Sequence, residues 1–274
     1  MDASSLPARR ARFGVPVRRL TTAVYPLAAL IGAVLLWYGA VVIAKVPPYL
    51  LPLPGAVYDR IASDLPFLAW QSAITIEETL GGFALSIVLG IPIAIVLVAS
   101  RTLDRALMPW LILSQTFPKI ALAPLIVVWF GLGLWPKLLV TFLVAFFPIV
   151  ISTIVGLRSV EREMIELAQS MRASRLQMFC HFRIPLALPN IFAGLKVSVA
   201  FAVVGAVIAE WVGATAGLGY LLLQANANLD TTLLFAVLVA LMVIGITLYY
   251  VVEVIERLCI PWHAVIRLQD AATP

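Results

Sequence analysis

Six stretches of the chain are almost free of polar residues: roughly Ala23–Ala44, Ser72–Ala99, Ala106–Phe130, Lys137–Leu157, Pro189–Val212 and Leu233–Leu258. Each is long enough for the about 20 apolar residues that a helix needs to cross a bilayer core. None shows the short alternating segments of a membrane barrel. The pattern predicts an all-α polytopic membrane protein with six transmembrane helices. The first stretch is too long for the apolar region of a signal peptide, and no small-residue cleavage site follows it, so it is read as span one. The expected organisation is a basic N-terminal tail (1–20), a transmembrane domain (21–262) and a C-terminal tail (263–274).

Prolines and glycines punctuate the apolar runs. After span one, "KVPPYLLPLPGAVYDRIASDLP" carries Pro47, Pro48, Pro52 and Pro54, which suits an extended segment over the membrane surface followed by a short interfacial helix over 57–65. Span two is read as starting near Glu77 and Glu78 and contains Gly81, Gly82, Gly90 and Pro92; span three contains Pro109, Pro118 and Pro124. Irregular helices of this kind are tolerated where neighbouring protein or a wet cavity satisfies the freed backbone groups, so both spans are expected inside a bundle.

One long polar stretch, residues 158–188, separates spans four and five. Within Glu161–Met171, apolar side chains fall at Met164, Leu167, Ala168 and Met171, the stripe of an amphipathic helix, while Glu163, Glu166 and Gln169 lie mainly off it. A turn is expected at Arg172–Ala173. Ser174 and Gln177 have the spacing of a capping box, so Ser174 is the expected N-cap of a second short helix, which Pro185 should end. Two readings stand: a connector lying at the membrane interface, or a docking element whose apolar knobs enter a groove on a soluble partner. The mixed charge of the stretch leans away from pure lipid binding.

Composition agrees with a membrane chain: 62% hydrophobic, 12% charged, mean hydropathy +1.04. Lys and Arg placement sets orientation. With the N-terminus inside, the inner segments hold Arg9, Arg10, Arg12, Arg18, Arg19, Arg101, Arg105, Arg158, Arg162, Arg172, Arg175, Arg183, Arg257 and Arg267, against Lys45, Arg60 and Lys137 outside. Both termini are therefore expected in the cytoplasm, and the net charge of +5 follows from topology rather than from nucleic-acid binding. Cys180 and Cys259 fall on the same reducing side. With no CxxC and only His181 and His263, no metal site is expected.

A charge at the bilayer centre costs about 2.5–3.5 kcal/mol on insertion scales, so each such residue is a functional candidate. Lys119, beside Pro118 in span three, either lines a pathway or is a structural lysine that pairs or snorkels. Lys196 either serves function or snorkels to the interface. Glu210, in "AEWVG", either holds the adjacent "GLGY" turn by hydrogen bonding or forms an outer gate contact. Glu77 and Glu78 either start span two, where acids favour a helix N-terminus, or face a partner. Trp129 and Trp135 read as interface anchors.

The segment "ELAQSMRASRLQMFCHFRIPLALPNIFAGLK" resembles the EAA loop of the inner-membrane permeases of binding-protein-dependent ATP-binding-cassette importers. That loop runs EAA, three residues, Gly, nine residues, I-x-L-P. Glu166-Leu167-Ala168 matches its start, and Phe182-Arg183-Ile184-Pro185 matches its end. The Gly position is taken by Arg172, a departure. "LLPLPGAVYDRI", "ALAPLIVVWFGLGLWPK", "FFPIVISTIVGLRSV", "GLGYLL" and the terminal "IPW" are similar to the nitrate/sulfonate/taurine type of permease; "FFPI", "GLK" and "GAVIAEWVG" are similar to the branch for thiamine-pyrimidine precursors or riboflavin. The resemblance covers roughly residues 25 to 262.

The resemblance implies the type I importer permease (MetI-like) fold with a cytoplasmic coupling helix. It implies a homodimer forming the pathway in the inner membrane, two copies of a separate ATPase, and an extracytoplasmic solute-binding protein. Met164, Glu166, Leu167, Ala168, Met171, Arg172, Ala173 and Ser174 would meet the ATPase. Lys119, Glu77, Glu78, Lys196 and Glu210 remain the pathway candidates. The chain has no GxxxxGK[ST] loop, so hydrolysis is assigned to the partner, and neither enzymatic activity nor a cofactor is expected. The solute is expected to resemble nitrate, sulfonates or taurine, or a pyrimidine or riboflavin. A secondary transporter would normally bring more helices, internal repeats and paired intramembrane carboxylates. A membrane enzyme would bring a catalytic constellation, and none is visible. A non-transport membrane scaffold is the remaining alternative.

Overall fold

The computed structural model describes residues 17–160 and 162–262, without the side chains of 17–24, 26, 162, 167, 169 and 175. The N-terminal tail up to residue 16 and the C-terminal tail from 263 lie outside the described residues. Every described element is helical: α1 (Val17–Ile43), α2 (Pro54–Ser63), α3 (Leu65–Ala99), α4 (Arg101–Thr116), a 3-10 turn (Lys119–Leu122), α5 (Ala123–Phe130), α6 (Leu134–Arg158), α7 (Arg162–Ser170), α8 (Arg175–Met178), a π turn (Phe179–Arg183), α9 (Ile184–Gly213), α10 (Leu218–Ala227) and α11 (Thr231–Cys259). Prolines stand in the first turn of α2, α3, α5 and α9; in the first three, a missing N–H at that position loses no bond. Ser100 caps α4 and Asp230 caps α11 through hydrogen bonds from the amides of Leu103 and Leu233.

Among the described residues, four helices are long and apolar enough to cross a membrane: α3, α6, the continuous run Leu176–Gly213, and α11. Span three, read from the sequence as one apolar window, is broken. Its halves, Arg101–Thr116 and Lys119–Phe130, meet at 84° and make a fifth span if counted together. The cause is Pro118, which forces Phe117 into extended backbone (ψ 132°). The described apolar part of α1, Leu27–Ile43, is shorter. The described residues thus carry four or five of the six expected spans.

Span two also starts earlier than expected. Pro66 opens α3 at Leu65, so Glu77 and Glu78 lie inside the helix, about 20 Å from its first residue at 1.5 Å per residue. They do not stabilise a helix start.

The centre of the bundle is the triple packing of α3, α6 and α9. Small residues allow it. Gly82 of α3 and Gly205 of α9 both lie against Thr141 of α6, and a Cβ at Gly82 would stand 2.4 Å from that threonine's side chain. Lower down, Gly194 of α9 lies against Ser152 of α6, where a Cβ would meet the serine at 2.4 Å. In a bilayer, where burying apolar surface gives little drive to helix pairing, this close backbone approach is what brings helices together. Ile149, Val199, Ala202 and Val237 fill the core, with α10 and α11 closing on the far side of α9. Outside it, α4 buries no residue, and Trp110, Leu36 and Leu258 stand exposed.

At the end of the bundle away from α7, Arg60 of α2 bonds Asp64 at 2.6 Å and Asp230 at 3.3 Å. Thr231 donates to the carbonyl of Pro48 at 2.8 Å. These contacts tie the proline-rich segment and α2 to the cap of α11.

Candidate functional site

The polar stretch between α6 and α9 folds as helix, turn, helix. α7 buries Ala168, half-buries Met164 and leaves Glu166 exposed, and Met171 just past its end is exposed too; the side chain of Leu167 lies outside the described ones. Ser170 turns its hydroxyl back onto the carbonyl of Glu166. The helix closes at Arg172, whose φ of 54° is left-handed. The amide of Ala173 then donates to the carbonyl of Ala168 at 3.0 Å, the six-residue closure of a Schellman turn. Glycine usually takes this position, because a side chain there costs roughly 1–2 kcal/mol. Arg172 takes it here and is exposed. Ser174 and Gln177 exchange the two bonds of a capping box, at 2.8 and 3.2 Å.

Beyond α8 the structure departs from the expected stop at Pro185. The chain widens into the π turn Phe179–Arg183 and continues directly into α9, with Pro185 in its first turn. The wider turn shifts the carbonyls that the proline ring would meet in an α-helix. The connector and span five are therefore one continuous helix. Asp104 of α4 pairs with Arg158 at the end of α6, on the same side of the bundle as α7.

The charges inside the bundle fall into three places. The first is a network near the start of α6. Glu78, 2% exposed, takes the Lys137 ammonium at 2.6 Å. Glu210, 1% exposed, lies close enough to Glu78 and Lys137 to interact with both. Its carboxylate accepts the Thr75 hydroxyl at 2.7 Å and the Gly219 amide. Thr75 in turn accepts the amide of Leu218 at 2.8 Å, and Gln71 accepts that of Gly217 at 2.5 Å. These groups occupy the N-terminus of α10, where unsatisfied amides and the helix dipole favour an anion. A Cβ at Gly217 would stand 2.3 Å from the Glu210 carboxylate. Glu210 thus straps the α9–α10 corner to α3. Glu77 is exposed and outside the network.

The second place is an ion pair between Lys196 of α9 and Glu256 of α11, with Tyr249 beside the ammonium at 5.7 Å. The lysine is satisfied laterally by another helix rather than by reaching an interface. The third is the bend of span three. Lys119 borders a half-open cavity of about 620 Å³, with its ammonium 4.1 Å from the centre of the Phe147 ring.

Sequence reasoning left out Gln71, Thr75, Lys137 and Glu256 as partners. A signal for the first two exists. Gln71, Thr75, the pair Glu78 and Thr79, Gly82, Ser86 and Gly90 follow one another at helical spacing in an otherwise apolar helix, and all are buried. Such a polar and small stripe marks the face a membrane helix turns to its neighbours.

Comparison with known proteins adds to this geometry. Residues 86–261 match the family model of the binding-protein-dependent transport system inner membrane component. The chain is 39% identical over 230 residues to the riboflavin transport system permease protein RibX of Chloroflexus aurantiacus, covering 83% of this chain and 86% of RibX. It is 38% identical over 219 residues to the formylaminopyrimidine transport permease protein ThiX of Halalkalibacterium halodurans, covering 79% and 87%. Against the taurine transport system permease protein TauC of Escherichia coli it is 30% identical over 266 residues, covering 94% and 96%. Its fold is similar to that of a chain of the MetNI methionine ABC transporter solved in inward-facing conformations, with TM-score 0.62 at 21% identity over 69% of this chain and 94% of that one.

Proposed function

This chain belongs to the binding-protein-dependent transport system inner membrane components, and from that membership we propose how it works and which of its residues do the work. It is a permease subunit of an ATP-binding-cassette importer, a multi-pass protein of the inner membrane. Permeases of this family work with an ATPase and a substrate-binding protein.

In our reading the chain has six spans with both termini in the cytoplasm. Two copies form the pathway, and two copies of the ATPase sit beneath them and hydrolyse ATP. An extracytoplasmic protein delivers the solute at the opposite end, where α2 and the α10–α11 corner lie. α7 is the coupling helix. Glu166, Met171 and Arg172 are exposed and meet the ATPase, and Leu167 is assigned to the same contact; Met164 and Ala168 form the more buried side, and the Ala173–Ser174 turn sets the angle of the unit. Closure of the ATPase draws the two α7 helices together, and α6 and α9, which flank the connector, carry that movement into the pathway. The solute belongs to the group spanned by sulfonates, taurine and nitrate on one side and pyrimidines and riboflavin on the other.

The observation that carries this reading is the connector itself. A Schellman turn and a capping box fix a two-helix unit at the end of the two innermost helices, with acidic, apolar and basic side chains exposed. The test is co-purification of the ATPase with the permease. Glu166→Arg and Leu167→Asp should each abolish it while the permease stays monodisperse in detergent. Full retention of the ATPase by both variants refutes the docking role. A binding assay on the partner solute-binding protein with taurine, nitrate, a hydroxymethylpyrimidine and riboflavin identifies the solute class.

A further inference from the structure

The bend of span three holds a cation that no carboxylate among the described residues pairs with. Lys137 is paired with Glu78, and Lys196 with Glu256. Lys119 differs: among the described residues it forms no ion pair with a carboxylate, and its partner is the π face of Phe147. Phe147 lies in the middle of the 25-residue helix α6, about 16 to 20 Å from its two ends at 1.5 Å per residue. At that depth no lipid headgroup reaches the ammonium, and the lysine stem cannot carry it to an interface.

The ammonium also faces space. The cavity of about 620 Å³ lies within the range of small-molecule sites. Phe117, Phe147 and Phe201 give it aromatic walls, and Gln115 and Ser152 add hydrogen-bonding groups. The ring face of Phe147 occupies one side of the ammonium and repels anions, so a counter-charge must approach from the cavity side. A half-open, mostly apolar cavity with one half-buried cation and aromatic walls fits an anionic head on a planar or apolar body.

We propose that this cavity is a transit site in the membrane for an organic anion, its sulfonate head on Lys119 and its body against the phenylalanines. The inference rests on the importer reading and narrows its solute to the anionic half of the range given above. A fixed charge in a low-dielectric cleft raises the local concentration of opposite charges by 10- to 1,000-fold. Lys119 would thus select charge on the way through.

The test reads the local potential with two small thiol reagents. In a chain carrying Cys180→Ser and Cys259→Ser, Thr116→Cys places a thiol in the cavity wall. It is reacted with 2-sulfonatoethyl methanethiosulfonate and with the cationic 2-(trimethylammonio)ethyl reagent, with the permease in nanodiscs. The anion-to-cation rate ratio should exceed that of a free thiol by about tenfold or more. Lys119→Gln should return it to near the free-thiol value, and Lys119→Arg should keep it high. A thiol that reacts with neither reagent, or a ratio that Lys119→Gln leaves unchanged, overturns the proposal. ATPase co-purification is measured on the same preparations. If the ATPase binds and the ratio does not respond, the transit site fails alone; if no preparation binds an ATPase, the importer reading fails with it.

Discussion

Removing the ammonium of Lys137 should harm the fold more than removing the carboxylate it binds. Lys137 and Glu78 meet at 2.6 Å with side chains 14% and 2% exposed. At an effective dielectric of about 20 the attraction at that contact is about 6 kcal/mol. Desolvation of the two ions opposes it with several kcal/mol each, so the intact pair is close to break-even. Breaking it is another matter. Lys137→Met leaves Glu78 and Glu210 together with no cation, and loss of one partner of a buried pair costs about 3–5 kcal/mol. Glu78→Gln leaves Lys137 with Glu210 as its remaining acid, and the lysine stands only four residues into α6, near the edge of the bundle. We expect a loss of about 1–2 kcal/mol, the scale of one altered buried hydrogen bond. The double variant should lie between the two single ones, because Glu78→Gln removes one of the two carboxylates that Lys137→Met strands and leaves Glu210. The assay is equilibrium unfolding of the permease in mixed micelles of dodecyl maltoside and increasing dodecyl sulfate, followed by tryptophan fluorescence. If Lys137→Met unfolds at the wild-type midpoint, or is milder than Glu78→Gln, the charge assignment is wrong.

Two further outcomes follow from backbone geometry. Arg172→Gly should relieve the left-handed strain and leave the permease as stable or up to about 1 kcal/mol more stable, the strain relief outweighing the added chain entropy; Arg172→Val should lower the melting temperature, and equal melting of the two variants removes the strain argument. Gly194→Val should separate α6 from α9, because a Cβ there would stand only 2.4 Å from Ser152, and size-exclusion chromatography should show aggregate in place of the monodisperse peak, whereas Gly32→Val, at a site with nothing within 4 Å, should not.

The helical architecture was legible because apolar runs this long have few alternatives to crossing a membrane. The connector was legible because its signals are local: the capping box joins Ser174 to Gln177, and the turn needs only Arg172 and its neighbours. Local rules failed where a longer-range solution was available. Pro185 reads as a helix stop, yet the π turn before it lets the helix continue. The proline-broken third span was visible as irregular, but not its 84° bend, which depends on how α5 packs against α6. The partners of the buried charges were not legible. Glu78 and Lys137 are 59 residues apart, and nothing in either neighbourhood points to the other. The buried stripe from Gln71 to Gly90 was readable as a pattern, but only the fold shows that its upper part meets the α9–α10 corner.

The unbroken run from Leu176 to Gly213 is 38 residues long, a rod of about 57 Å. One end carries the connector turn and the other carries Glu210, whose carboxylate grips α3 and the start of α10. Gly194, which lies against Ser152 of α6, stands almost at its midpoint. Under the coupling role proposed for α7, a rigid tilt of this rod about its middle would carry its two ends in opposite directions, and one helix would then link opening on one side to closing on the other.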